Sequence, residues 1–140
     1  MTGSRILIDT GAIYAFVTQN DRHHQAAKGL VRSWLDQSGV FVLADIVFAE
    51  TMTLLKSRLG PGIAIQVGRR LRNSPAYVWH SMDAESERQA WAIFQRYSDK
   101  DWSYTDCAIL ALALQERISE VFAFDHHFHQ MSQITVLPAD

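Results

Sequence analysis

The chain has 140 residues, 48% of them hydrophobic and 20% charged, with a net charge of −2 at pH 7. These values are typical of one ordinary globular domain and exclude an overall basic nucleic-acid-binding protein. The single cysteine, Cys107, excludes an internal disulfide framework and fits a reducing compartment. Residues 1–5 are too few for a signal peptide and no apolar run is long enough for a membrane span, so we expect one cytoplasmic domain over residues 1–140.

The first half of the chain alternates short apolar runs with amphipathic stretches. Such runs predict buried strands, and the amphipathic stretches predict helices with one apolar face. Asp45 can cap the helix that follows the second strand, and Ser38-Gly39 ends the helix before it. The predicted elements are a strand at 6–8, a helix at 12–17, a helix at 22–37, a strand at 40–44 and a helix at 46–59.

The second half continues the alternation after a break at Gly60-Pro61-Gly62. The predicted elements are a helix at 63–72, a strand at 76–80, a helix opened by Asp83, a loop at 98–102, a helix at 103–118, and strands at 121–124 and 134–137. Trp91 falls on the apolar stripe of the helix after Asp83, and the helix from Ser103 is apolar around most of its surface, as in a central buried helix. This order predicts an α/β fold in which a parallel-stranded central sheet is flanked by helices.

The first strand ends at Asp9, and this position is the starting point for a functional interpretation. Gly11 lets the chain turn after the strand, so the Asp9 carboxylate stands at the strand's carboxyl end. Ligand crevices in open α/β sheets lie outside such strand ends. The alternative is that Asp9 only caps the next helix.

Three further acids occupy comparable positions. Glu50 lies on the apolar stripe of its helix, Asp106 lies in the first turn of the buried helix, and Asp125 ends the fourth strand. Each has a structural alternative: Glu50 can reach water at a stripe edge, Ser103-x-x-Asp106 resembles a capping box, and Asp125 can cap the segment at 126–131. A right-handed parallel fold can nevertheless bring all four acids to one edge.

Clustered carboxylates repel one another, which makes a bound cation the simplest explanation. Two such charges about 4 Å apart cost about 4 kcal/mol at an effective dielectric constant of 20. All-oxygen ligands select hard ions such as Mg²⁺ or Mn²⁺, which can activate water and stabilise charge on a phosphodiester.

Charge is unevenly distributed along the chain. Residues 51–82 contain no acid and carry a net charge of +5, whereas the rest has eight basic and 15 acidic residues, a net charge of −7. A basic flank beside an acidic site suits a polyanion that must approach a metal, although two solvated helix faces would give the same pattern. The basic residues of this stretch are Lys56, Arg58, Arg69, Arg70 and Arg72.

Taken in order, these motifs resemble the PIN domain family of metal-dependent ribonucleases, in particular the VapC-like toxins of toxin–antitoxin pairs. The resemblance extends over nearly the whole chain. The matching pieces are Leu-Ile-Asp9-Thr10, Glu50 after the second strand, Ser103-Tyr-Thr105-Asp106 opening an Ala/Leu-rich helix, and Phe-Ala-Phe-Asp125. The sequence departs from the family pattern at Gly11, at 117–119 and at His126, none of which is a proposed metal ligand.

The resemblance implies a site, a cofactor and partners. It implies that Asp9, Glu50, Asp106 and Asp125 are the catalytic and metal-binding acids and that the cofactor is Mg²⁺ or Mn²⁺. It further implies supporting hydroxyls, a homodimer, an RNA substrate and an antitoxin that covers the acidic cleft. The supporting residues are Thr10, Ser103 and, less directly, Thr105, with Asp101 as an outer acid.

Two other functions remain open from the residues alone. A phosphoacceptor or phosphotransfer domain also clusters acids at strand ends, although Asp9 lacks the Asp-x-Asp-x-Thr arrangement of one such class. A non-catalytic binding module with the same fold is the other. The histidines at 126, 127 and 129 are interpreted as a polar loop rather than a zinc site, and Trp102 as a possible RNA contact.

Overall fold

A computed structural model describes residues 4–139 of the chain. It contains one five-stranded sheet, in which every neighbouring pair is parallel and the strand order is β3-β2-β1-β4-β5. The strands are β1 (Arg5–Ile8), β2 (Val40–Ala44), β3 (Tyr77–His80), β4 (Glu120–Phe122) and β5 (Thr135–Leu137). Residues 1–3 and Asp140, which the domain prediction includes, lie outside the described residues.

Six α-helices and one short 3₁₀ helix connect these strands. The helices are α1 (Thr10–Val17), α2 (His24–Asp36), α3 (Asp45–Leu59), α4 (Pro61–Asn73), α5 (Ala84–Arg96) and α6 (Tyr104–Glu116), and the 3₁₀ helix is His126–Gln130. Within the described part of the chain, none of these helices has the length and apolar character needed to cross a bilayer. The predicted α/β architecture is confirmed.

The core lies on both sides of the central strands, as continuous apolar runs require. Ile6, Leu7 and Ile8 in β1 are at most 2% exposed. Helix α6 is buried along its whole first part, from Thr105 to Ala113, which confirms the prediction of a central helix.

The chain changes direction across the sheet between β1 and β4. From β1 it proceeds to β2 and β3 on one side, and it then returns to place β4 and β5 on the other side of β1. The carboxyl ends of β1 and β4 therefore meet where the strand order reverses, which is the usual position of a ligand crevice in this fold class.

Some predicted details differ in the structure. Trp91 is 54% exposed because α5 packs closely on α6 through Ala90 against Ala108 and Ala111, which leaves larger side chains outside. Trp102, the possible RNA contact, is 6% exposed and its ring nitrogen donates to Gln130 at 2.7 Å.

Asp45 differs from its predicted capping role. It lies in the first turn of α3 rather than at the N-cap. From this position its carboxylate accepts hydrogen bonds from the backbone N–H groups of Ile46 and Met82. It therefore joins α3 to the segment after β3.

Candidate active site

Asp9 lies at the crevice between β1 and β4. Its backbone N–H donates to the carbonyl of Phe122 at 3.0 Å, which extends the pairing of the two strands to this position. Its side chain caps α1 by accepting from the Gly11 N–H at 3.4 Å, so the capping alternative is also correct. Asp9 is only 6% exposed.

Burial and neighbouring charge make the ionised form of Asp9 costly. Burial, followed by the Asp106 carboxylate and then by Glu50, raises the pKa of Asp9 to about 7, against the opposing backbone hydrogen bonds of Thr10 and Gly11. The negative charges of Asp106 and Glu50 therefore act on the Asp9 carboxylate.

Asp106 is held by the start of α6. The Ser103 N–H donates to Oδ2 of Asp106 at 2.9 Å, and Oγ of Ser103 accepts from the Asp106 N–H at 3.0 Å, which completes a capping box. Asp106 is 5% exposed. Burial raises its pKa, with a further contribution from the Asp125 carboxylate, while the bonds from Ser103 and His127 act in the opposite direction.

Asp125 and His127 form the third part of the site. Asp125 caps the 3₁₀ helix by accepting from the His127 N–H at 2.9 Å. The ring Nδ1 of His127 lies 3.0 Å from Oδ2 of Asp106 and 3.2 Å from Oδ1 of Asp125, so one imidazole bridges two predicted site acids.

Sequence reasoning missed His127 because it treated the histidine tract as a polar loop. A signal was nevertheless present: His127 stands two residues after Asp125, a predicted site acid, in the turn that Asp125 caps. This placement turns its ring back toward the strand ends.

Glu50 differs from the other acids in being exposed. The structure supports the alternative that it reaches water from the edge of the α3 stripe. Its Oε2 accepts a hydrogen bond of 2.9 Å from the hydroxyl of Thr105, the residue before Asp106. Thr105 therefore joins Glu50 to the start of α6.

The two other predicted supporting residues take different positions. Thr10 is buried, and its hydroxyl accepts from Thr51 at 3.4 Å rather than contacting an acid. Ser103 orients Asp106 through its backbone N–H, while its hydroxyl caps the helix. Asp101 is exposed in the loop before α6.

All five basic residues of the 51–82 stretch are exposed on α3 and α4. Lys56 follows Glu50 on α3 by a rise of about 9 Å along the helix axis. The guanidinium of Arg58 lies 5.2 Å from the Tyr14 ring centroid. The guanidinium of Arg72 lies 4.8 Å from the Trp79 ring and 5.3 Å from the Phe48 ring. Arg72 is thus partly engaged in packing against aromatic rings, and Arg69 and Arg70 lie on the same helix, α4.

The donor set fits a hard divalent cation. Across residues 4–139, no Lys or Arg forms an ion pair with Asp9, Glu50, Asp106 or Asp125. Asp9 is buried beside another carboxylate without such a partner, and a bound cation would offset the cost of ionising it. Carboxylate oxygens are the ligands that Mg²⁺ and Mn²⁺ prefer.

Comparison with known families gives a match over nearly the whole chain. The family model described as PIN domain matches residues 6–134. The 23S rRNA-specific endonuclease VapC20 of Mycobacterium tuberculosis is 29% identical over 133 residues, covering 95% of this chain and 98% of that protein. The VapC ribonuclease of Archaeoglobus fulgidus is 29% identical over 124 residues, covering 87% of this chain and 78% of the relative.

Solved structures give the same architecture. The crystal structure of Mycobacterium tuberculosis VapC20, described as a Sarcin-Ricin loop cleaving toxin, matches with a TM-score of 0.81 and 28% identity, covering 91% of this chain and 95% of that one. A chain in a toxin–antitoxin complex from Klebsiella pneumoniae matches with a TM-score of 0.67 over 93% of this chain and 95% of its own length. At 16% identity, this second likeness shows the fold.

Proposed function

The chain belongs to the PIN domain family, and on that premise we propose that it is a metal-dependent endoribonuclease, the toxin of a toxin–antitoxin pair. Relatives named as an rRNA endonuclease and a ribonuclease match most of its length. The observation that carries the proposal is the buried Asp9 carboxylate, which lies beside Asp106 at the crevice between β1 and β4.

Four acids are proposed to hold the cofactor. Asp9, Glu50, Asp106 and Asp125 offer carboxylate oxygens, and Mg²⁺ or Mn²⁺ is the cofactor that this donor type favours. When bound, the ion supplies Lewis-acid activation of water and neutralises charge on the scissile phosphodiester.

The chain's own residues orient these acids. The Ser103 N–H and the His127 ring bind Oδ2 of Asp106 at 2.9 and 3.0 Å, which fixes the direction of that carboxylate. Thr105 does the same for Glu50 at 2.9 Å. Second-layer hydrogen bonds of this kind set the orientation and basicity of metal-binding groups.

Partners follow from the same proposal. The exposed basic residues of α3 and α4 suit the phosphate backbone of RNA, and ribosomal RNA is the first substrate to test because the VapC20 relative is named for it. We further propose a cognate antitoxin, a homodimer, one nuclease domain over residues 1–140 and action in the cytoplasm, where RNA is found. The toxin–antitoxin complex from Klebsiella pneumoniae, which contains a chain with the same fold, supports the antitoxin.

Cleavage of ribosomal RNA by the purified protein tests the activity and the site together. We expect cleavage with Mg²⁺ or Mn²⁺, loss of cleavage with EDTA, and loss in Asp9→Asn and Asp106→Asn. Asp36→Asn is the matched control because Asp36 is exposed at the end of α2. Cleavage that survives EDTA, or that both site variants retain, would contradict the proposal.

A further inference from the structure

The start of the 3₁₀ helix presents a set of potential metal ligands that includes Asp125, one of the four acids, and adds two imidazoles. Within the described residues, one ligand atom each from Asp125, His126 and His127 lies within 4.8 Å of the others. We propose that these three residues form a second site, overlapping the first at Asp125, for a transition-metal ion of the Zn²⁺ class, and that occupation of this site inhibits the nuclease.

The spacing of the three donors agrees with such a site. Ligand atoms about 2.0–2.2 Å from a tetrahedral ion lie about 3.3–3.6 Å from one another. Oδ1 of Asp125 lies 3.6 Å from Nδ1 of His126 and 3.2 Å from Nδ1 of His127. The two rings are neighbours tilted at 59° to each other, with their centroids 4.5 Å apart.

The local backbone brings these donors together. The Asp125 carboxylate accepts from the His127 N–H at 2.9 Å, which fixes Oδ1 over the first turn of the 3₁₀ helix. The side chain of His126 is 78% exposed, so an ion can enter from solvent and complete its coordination with water. The His127 side chain is 17% exposed and forms the inner wall.

Donor chemistry separates this site from the proposed magnesium site. Two imidazoles and one carboxylate suit Zn²⁺, Co²⁺ and Ni²⁺, whereas Mg²⁺ favours oxygen and retains water. Excess Mg²⁺ would therefore compete for the shared Asp125 but not for the two rings.

Inhibition follows from the shared residues. An ion bound to Nδ1 of His127 and Oδ1 of Asp125 occupies the atoms with which His127 joins Asp106 to Asp125. Two groups orient Oδ2 of Asp106, the Ser103 N–H and the His127 ring, and Asp106 would then lose the contact with the ring. This part of the inference rests on the proposed ribonuclease activity.

Calorimetric titration of the full chain with Zn²⁺, in excess Mg²⁺, tests the site directly. We expect one Zn²⁺ per chain for the wild type and an affinity lower by at least about tenfold for His126→Ala, which removes a ligand. His129→Ala is the matched control because His129 is an exposed histidine of the same 3₁₀ helix. The affinity of this variant for Zn²⁺ should equal that of the wild type. No Zn²⁺ binding by the wild type, or equal binding by wild type and His126→Ala, overturns the site.

RNA cleavage then tests the inhibition. Zn²⁺ added to the Mg²⁺-supported reaction should inhibit the wild type and His129→Ala at lower concentrations than His126→Ala. Identical inhibition of all three proteins overturns the inhibitory role. If the wild type cleaves no RNA, the proposed function fails, while the calorimetric result still decides whether the metal site exists.

Discussion

At the residue scale, the site depends on placing carboxylates where ionisation is unfavourable. Asp9 and Asp106 are 6% and 5% exposed, and burial raises the pKa of both. Such a pair costs stability in the metal-free protein and gains affinity for a cation that restores the balance of charge. Stability and metal binding are therefore opposed at these two residues.

Asp9→Asn should stabilise the metal-free protein at neutral pH. The pKa of Asp9 is about 7 in the folded chain, against 3.8 for an unperturbed aspartate, so the folded chain binds the proton more tightly. The stability that the protonated form contributes is complete below pH 3.8 and is lost as pH rises through about 7. Above about pH 7, the free energy of unfolding of the variant should exceed that of the wild type by up to about 4 kcal/mol. The free energy of unfolding of the variant should also depend less on pH.

Urea unfolding in EDTA across this pH range measures the difference. Asp36→Asn serves as the control, since it removes an exposed carboxylate. Curves for Asp9→Asn and wild type that remain parallel at every pH would show that Asp9 titrates normally.

His127→Ala should impair cleavage without unfolding the protein. Because His127 contacts both Asp106 and Asp125, its removal should lower kcat by about 10- to 100-fold and raise the Mn²⁺ concentration needed for half activity. The metal requirement is the informative measurement, since a purely structural defect would lower the amount of active protein without shifting it. His129→Ala should match the wild type, and an unchanged Mn²⁺ requirement in His127→Ala would exclude the positioning role.

At the scale of elements, the start of α6 combines a folding signal with a site residue. Ser103 and Asp106 satisfy each other's backbone N–H groups at 3.0 and 2.9 Å, which is a sufficient structural reason for both residue types. The capping alternative and the functional interpretation are therefore compatible. The other Oδ2 contact, to His127, is the one that capping does not explain.

Ser103→Ala should separate these two roles. The loss of the capping hydroxyl should cost about 1 kcal/mol, seen as a lower Tm. The Ser103 N–H that binds Asp106 remains, so cleavage well below the Tm should change far less than in His127→Ala. Ser103→Thr should preserve the Tm. A loss of cleavage in Ser103→Ala as large as that in His127→Ala would assign the hydroxyl a direct role.

At the scale of the molecule, charge is divided between an acidic crevice and a basic α3–α4 pair. Glu50 and Lys56 both lie on α3, so one helix contributes residues to both regions. The long-range attraction of the basic pair then offsets the repulsion that the acids exert on phosphate.

Removal of basic charge from α4 should change the salt dependence of RNA binding. For Arg69→Gln with Arg70→Gln, we expect weaker binding and a slope of log affinity against log salt that is smaller by about one unit per charge. The rate at saturating RNA should be little changed. Lys28→Gln with Arg32→Gln on α2 gives the same change in net charge and is the control. Equal effects of the two double variants would show that net charge, rather than α4, governs binding.

The sequence predicts the elements well where burial dictates periodicity. The strand runs and the apolar α6 predict a parallel sheet with a central helix, and the strand-end position of Asp9 follows from that fold. Asp125 differs from its prediction, because β4 ends at Phe122 and Asp125 lies three residues beyond it. The sequence does not predict which face of a helix packs closely against the neighbouring helix. The contact between Ala90 and α6 excludes Trp91 from the core, although both belong to one apolar stripe.

Side-chain contacts between distant parts of the chain are equally hidden from sequence. Thr105 and Glu50 are separated by 55 positions, and His127 and Asp106 by 21, so no local pattern connects them. These contacts depend on the crossing of α3 and α6 and on the turn after β4. Only the fold shows that the His127 ring contacts Asp106.

The reversal of strand order also governs when activity can arise during translation. β4 is inserted beside β1, so the crevice has only one wall until β4 has been made. A chain synthesised only as far as β3 carries Asp9 and Glu50 but lacks Asp125 and His127. Because folding follows synthesis from the N-terminus, the ribosome that makes this protein must complete β4 and the 3₁₀ helix before a competent nuclease exists beside its own RNA.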